Sequence, residues 1–220
     1  YMAFADTREA AFWLDSSSNN NDFQHVNLDH NDTVSDSPTN NFCTMNPIAN
    51  FGTPSAFTLA DGNLDLTFTS SSGNDSAVGT MGVSSGKFYY EVELVSHADD
   101  ANAGFTTAEA LATETNTNGA AYYKSIGFQR GDRGVVWGSE PSPTQRFSAL
   151  QNGDVVGFAL DLDANKLYIH VNGSDSPVAT LDVPTDKGDT FIPCCGDDGG
   201  DAGQFRFNFG QQPFKYGPPE

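Results

Sequence analysis

From residue 57 onwards, apolar and polar side chains alternate with a period of two, the spacing of strands that bury one face. Leu64, Leu66 and Phe68 alternate with Asp65 and Thr67. Between Lys87 and Leu94 the pattern predicts Phe88, Tyr90, Val92 and Leu94 facing a core, with Lys87, Tyr89, Glu91 and Glu93 on the wetter face. Asp154 to Leu160 is nearly all apolar, as in a strand covered on both faces. Leu167, Ile169 and Val171 then alternate with Lys166, Tyr168 and His170. The short polar turn Asp163-Ala164-Asn165 predicts that these two strands pair as a hairpin. Phe205, Phe207 and Phe209 alternate with Gln204, Arg206 and Asn208. That strand is expected to end at Gly210, because Pro213, Pro218 and Pro219 cannot continue a ladder.

Two stretches break this rhythm. Residues 1–55 are loop-like, dominated by Ser16 to Asp22, Asp29 to Asp32 and Ser35 to Asn41. Only Ala11 to Leu14 is apolar there, and Phe12 and Trp13 are expected to anchor this segment on a neighbouring surface. No convincing helix appears; the best candidate, Thr107 to Ala112, is a single turn inside an expected long connection from Ser96 to Gly119. The chain thus divides into an extended N-terminal lead-in, residues 1–55, and an all-β domain, residues 56–220.

Composition supports a packed domain: 37% of the 220 residues are hydrophobic and 17 are Phe, unlike a disordered chain. Twenty-nine acidic residues against ten basic ones give a net charge of −19. Such a field repels phosphate backbones and anionic membranes, so nucleic acid is excluded as a partner and the charge reads as solubility. No stretch is long and apolar enough to span a bilayer and no signal-peptide pattern opens the chain, so membrane insertion is not expected. Opening on Tyr1, the chain reads as a processed product or a segment of something longer. Cys43 stands apart from the adjacent Cys194 and Cys195, which fits neither a disulfide framework nor zinc-ligand spacing. All three are expected to be small buried hydrophobes.

Four segments then follow one another in a telling order: Gly79 to Glu93, Gly153 to Asp163, Leu167 to Gly173 and Asn208 to Tyr216. They resemble, in turn, the opening strand pair, core strand, hairpin partner and ending of the SPRY family, over roughly Ala56 to Pro219. The resemblance implies a bent antiparallel β-sandwich, a jelly roll of the concanavalin-like kind, whose loops at one end bind partners. It implies no catalytic residues and no cofactor. In the lead-in, Phe12 to Asp15, Asn19 to Phe23 and Val34 to Pro47 resemble the approach to SPRY units in virion proteins of tailed bacteriophages. A lectin-like jelly roll often precedes that approach, and Tyr1 to Asp6 is then expected to be its last strand. Ala98 to Asn118 matches no part of either pattern, so partner-facing loops are not carried over.

Candidate chemistry is sparse. Glu91 and Glu93 project from one face of a strand about 6.6 Å apart, within the range of glycosidase carboxylate pairs. The preferred reading is that both are solvent-face residues of an exposed strand. Asp161 and Asp163 flank a hairpin turn, where Asp is favoured locally. Gly196 to Asp201 offers oxygens to a cation but lacks EF-hand spacing and reads as a flexible acidic turn, and Asp99-Asp100 with Asn102 is no stronger. The histidines have no ligand spacing, and neither a nucleophile elbow nor a phosphate loop is present. No metal and no cofactor are therefore expected. What remains for binding is a set of loop aromatics, Phe105, Tyr122, Tyr123 and Trp137, since such side chains anchor protein contacts and stack on sugars. Trp137, within Val135 to Gly138, fits a core strand equally well.

The expected function is a non-catalytic module of a phage virion, in a fibre, appendage or decoration. It would contact other virion proteins, copies of itself, or a host-surface glycan or protein. One alternative is an intracellular SPRY adaptor that captures a short peptide in an aromatic pocket near Trp137 and Tyr122. Another is a secreted glycan-active sandwich enzyme using Glu91 and Glu93.

Overall fold

A computed structural model describes residues 18–19, 21–22, 24, 26, 41–51, 57–69, 74–96, 101–113, 125–129, 132–136, 145–186, 188–198 and 203–219. Tyr1–Asn41 and Phe42–Glu220 are separate compact units. In the first, Ser18 and Asn19 form a turn; Phe12 and Trp13 lie outside the described residues. The second unit starts earlier than the expected boundary near Ala56, because a strand over Met45–Phe51 already belongs to it.

The elements in chain order are β1 (Met45–Phe51), β2 (Phe57–Ala60), β3 (Asp65–Phe68), β4 (Asn74–Gly79), β5 (Lys87–Ser96) and β6 (Asn102–Thr107). A short helix α1 (Ala108–Thr113) precedes β7 (Ile126–Gln129), β8 (Arg133–Val136) and β9 (Gln145–Arg146). Then come β10 (Val155–Asp161), β11 (Lys166–Val171), β12 (Ala179–Asp182), β13 (Phe191–Asp198) and β14 (Gln204–Asn208). They form two seven-stranded antiparallel sheets, β1-β4-β13-β6-β7-β8-β9 and β12-β11-β10-β5-β14-β3-β2. The chain is an all-β antiparallel sandwich, as its alternation predicts, and no helix among the described residues is long and apolar enough to cross a membrane.

The core lies between the sheets. Tyr90, Val92 and Leu94 of β5 are buried as expected, whereas Phe88, at the start of the strand, is 40% exposed. Tyr90 is the hub: its ring stacks on Phe158 at 5.0 Å and meets Phe105 edge-on at 5.2 Å. Its hydroxyl donates to the Gly104 carbonyl at 2.6 Å, which satisfies a polar tip that burial holds protonated. β10 pairs with β11 around the predicted turn, where Asn165 takes a positive φ and the Ala164 amide donates to Asp161 Oδ1. Cys43, Cys194 and Cys195 are free and buried.

The expected connection from Ser96 to Gly119 contains a central strand instead. All six residues of β6 are buried between β13 and β7. Phe105 therefore is not a loop aromatic; it is 1% exposed in the core. With both faces covered, β6 has no wet side to create an alternation, and Asn102, Thr106 and Thr107 make it read as polar. Gly104 and Gly127 face each other across β6 and β7, where a Cβ on either would collide with the other strand's backbone. The acidic stretch from Gly196 is likewise ordered at its start: β13 runs to Asp198, and Asp197 is buried.

Candidate functional site

Register places His170, Gly157, Glu91 and Asn208 in one row across β11, β10, β5 and β14. Their parity is opposite to that of Phe158, Ile169, Val92 and Phe207, which fill the core, so the row lies on the outer face of its sheet. Gly157 makes a dip in that face. A Cβ there would sit 2.5 Å from Tyr89 Oη, so only glycine lets the Tyr89 ring lie across β10.

Glu91, expected in solvent, is 3% exposed. The segment after β14 folds back over the sheet and covers it. The Lys215 amide donates to Glu91 Oε2 at 2.7 Å, and those of Tyr216 and Gly217 donate to Oε1 at 2.9 and 3.0 Å. Tyr89 Oη adds a fourth donor, 3.0 Å from Oε1. Three successive N–H groups around one carboxylate make an anion nest, the arrangement that offsets the cost of burying a charge. Burial, then the Glu91 charge and its hydrogen bond, hold the Tyr89 phenol well above its ordinary range, so it remains a donor.

The ending that makes this strap is locally determined. Gly210, at positive φ, turns the chain under Phe42, while Asn208 closes the bend by accepting from the Gly210 amide and donating to the Pro213 carbonyl. Phe214 then packs edge-on against Tyr89, with ring centroids 5.0 Å apart. Tyr216 lies on Gly173, whose missing side chain leaves space for the ring. Asn172 and Gly173 both take positive φ in the turn after β11, and Asn172 ties that turn to Val155 and Asp154.

Between the strap and this turn lies a cavity of about 350 Å³, lined by Tyr89, Gly157, His170, Asp175, Tyr216 and Pro218 among others. That is the low end for ligand pockets, suited to one side chain rather than a large cofactor. Among the described residues, no group of three or more His, Cys, Asp or Glu converges to hold a metal ion. Glu93 is ion-paired with Arg206, which also grips Asp65, and both Glu91 oxygens are taken. The two carboxylates are thus anchors, and neither is free to act as half of an acid–base pair.

Of the aromatic candidates, Phe105 belongs to the core, and Tyr122, Tyr123 and Trp137 lie outside the described residues. The strap and its cavity were not foreseen. Glu91 carries no local signal of its burial, because the strap amides that cover it lie 124 to 126 residues away in sequence.

Solved structures of similar shape include the SPRY domain of human HERC1, with a TM-score of 0.58 at 16% identity over 77% of this chain and 99% of that one. The TRIM65 PSpry domain gives 0.54 at 15% identity, over 76% of this chain and 92% of that one. Stonustoxin gives 0.55 at 19% identity, over 76% of this chain and 27% of the toxin chain. At these identities the likeness shows the fold. The SPRY domain model itself matches residues 87–212, from the start of β5 into the strap. With more than half of its length matched, and the sandwich, hairpin and ending built in that order, the chain belongs to the SPRY domain family, whose members are generally non-catalytic protein-binding modules.

Proposed function

We propose that this SPRY module works in a tailed-phage virion, as part of a fibre, appendage or decoration. There it holds other virion proteins, copies of itself, or a host-surface protein or glycan. The observation that carries the reading is the join between lead-in and sandwich. The residues resembling the virion approach run to Pro47, and their end is part of the domain: Cys43 and Met45 are buried and Phe42 lies against Gly210. A net charge of −19 suits a particle surface, where like charge keeps neighbours apart. Cryo-imaging of particles with gold-labelled antibodies against this chain should place label at fixed positions on the virion. A chain found only as a cytosolic monomer, never on particles, overturns the proposal.

The second reading is an intracellular SPRY adaptor for a short peptide, favoured by a cavity the size of one side chain. Capture of one defined partner from host extract, with no particle association, would select it.

A further inference from the structure

We infer that the cavity under the C-terminal strap is a receptor for a cationic side chain, an arginine of a partner protein. The inference rests on the chain being a protein-binding module and names the chemistry that one of its sites takes.

The argument is a count of where the polar hydrogens point. Tyr89 spends its hydroxyl proton on Glu91 Oε1, so its oxygen meets the cavity as an acceptor. His170 Nδ1 lies 2.9 Å from the Ser174 carbonyl, which can only accept, so Nδ1 carries a proton and Nε2 is an acceptor whenever the ring is neutral. Asp175 adds an exposed carboxylate with no ion-pair partner among the described residues. Ser174 Oγ accepts from the Val171 amide, and Ser174 and Tyr216 each keep a hydroxyl proton that can turn away from the cavity or towards it. Among the described residues, no Lys or Arg lines the cavity. An acceptor-rich wall with a carboxylate at the rim, in a chain of net charge −19, matches a group that only donates.

The aromatic walls narrow the choice. Tyr89 and Tyr216 present ring surface, and the Tyr216 ring already attracts the protein's own cation, with Lys215 Nζ 5.8 Å from its centroid. A planar guanidinium stacks on such rings and donates in its own plane, which a compact ammonium does not do as well.

The test is a ¹H–¹⁵N titration of the full chain with acetyl-Ala-Arg-Ala-amide, its lysine analogue and its uncharged citrulline analogue. The arginine peptide should give saturable shifts at the Gly157, Gly173 and Gly217 amides, with weaker binding by lysine and none by citrulline. Asp175→Asn should weaken the arginine peptide about three-fold, and Tyr216→Leu about five-fold. Asp175 is exposed, so its substitution tests the site without endangering the fold. The inference fails if the arginine peptide produces no saturable shift at these amides. It fails too if citrulline binds as tightly, or if both substitutions leave affinity unchanged, the sign of diffuse attraction to an acidic surface. A protein partner captured equally well by wild type and by both variants would remove this inference and leave the binding-module reading standing. Failure of the wild-type chain to capture any protein would count against that reading instead.

Discussion

Each sheet buries polar side chains on its outer face, and the two treat them differently. On the β5 side, Glu91 is wrapped by four donors. On the β6 side, Asn102 and Gln129 lie opposite each other with Gly196 beside them, pointing away from the core that Ala103, Phe128 and Cys195 help to fill. Both are fully buried, and their side-chain amides have no hydrogen-bond partner among the described residues. A charge left unpaired costs far more than an amide, so the buried carboxylate requires a full set of donors where the buried amides are tolerated without partners. The strap is therefore as much a solution to burying Glu91 as Glu91 is an anchor for the strap.

The largest effect should follow from removing that anchor. Glu91→Ala leaves three strap amides and the Tyr89 hydroxyl without their acceptor and should cost about 3 kcal/mol in urea unfolding. Hydrogen exchange should quicken at Lys215, Tyr216 and Gly217 before the rest of the sandwich responds. Unchanged protection at those amides would mean that the carboxylate does not hold the strap. Gly157→Val comes next. Its side chain would occupy the place of the Tyr89 hydroxyl, and the displaced ring should cost about 2 kcal/mol by overpacking. The same variant should fill the floor of the cavity, so a wild-type melting temperature would contradict the packing described.

Gln129→Met turns the comparison round. Methionine keeps the length of the side chain and removes two buried polar groups that lack partners, so stability should hold or rise by about 1 kcal/mol. A loss of similar size would show that the amide is paired in solution, and the contrast with Glu91 would disappear.

The sequence made the β5, β10, β11 and β14 strands legible because each has a face, or a run, that only burial explains. Tyr90, Ile169 and Phe207 lie where their alternation predicts, and Phe158 is buried as its apolar run predicts. β6 was illegible for the opposite reason: small and polar residues buried on both sides have no period, so Phe105 looked like a loop aromatic. β13 carries Pro193 and two glycine-flanked aspartates, which read as a turn although Asp197 is buried in a ladder. The site was hidden more deeply. A period of two reports which face a residue occupies, not what later folds over that face, so Glu91 and Tyr89 looked wet. The ending from Asn208 to Tyr216 did point to the family, but its work as a strap is written in contacts with residues more than a hundred positions earlier.

The smallest effect should come from a carboxylate that the strap does not bind. Asp161 pairs with Lys87 Nζ at 2.8 Å across β5 and β10. The Lys87 hydrogen bond, helped by the Ala164 amide, holds the Asp161 carboxyl below its ordinary value. A carboxyl depressed in the folded state adds stability above its unfolded value, near about pH 4, and loses that contribution as the pH falls through the folded value. Lys87→Met should therefore return the Asp161 midpoint, followed by carboxyl-carbon NMR, towards the ordinary range. The variant should melt slightly below wild type at neutral pH and coincide with it in strong acid. Because solvent screens this pair, the melting difference should shrink in high salt, whereas the Glu91→Ala loss should persist there. Equal salt sensitivity in the two variants would mean that the strap does not exclude water from Glu91, and the distinction between covered and uncovered carboxylates would fail.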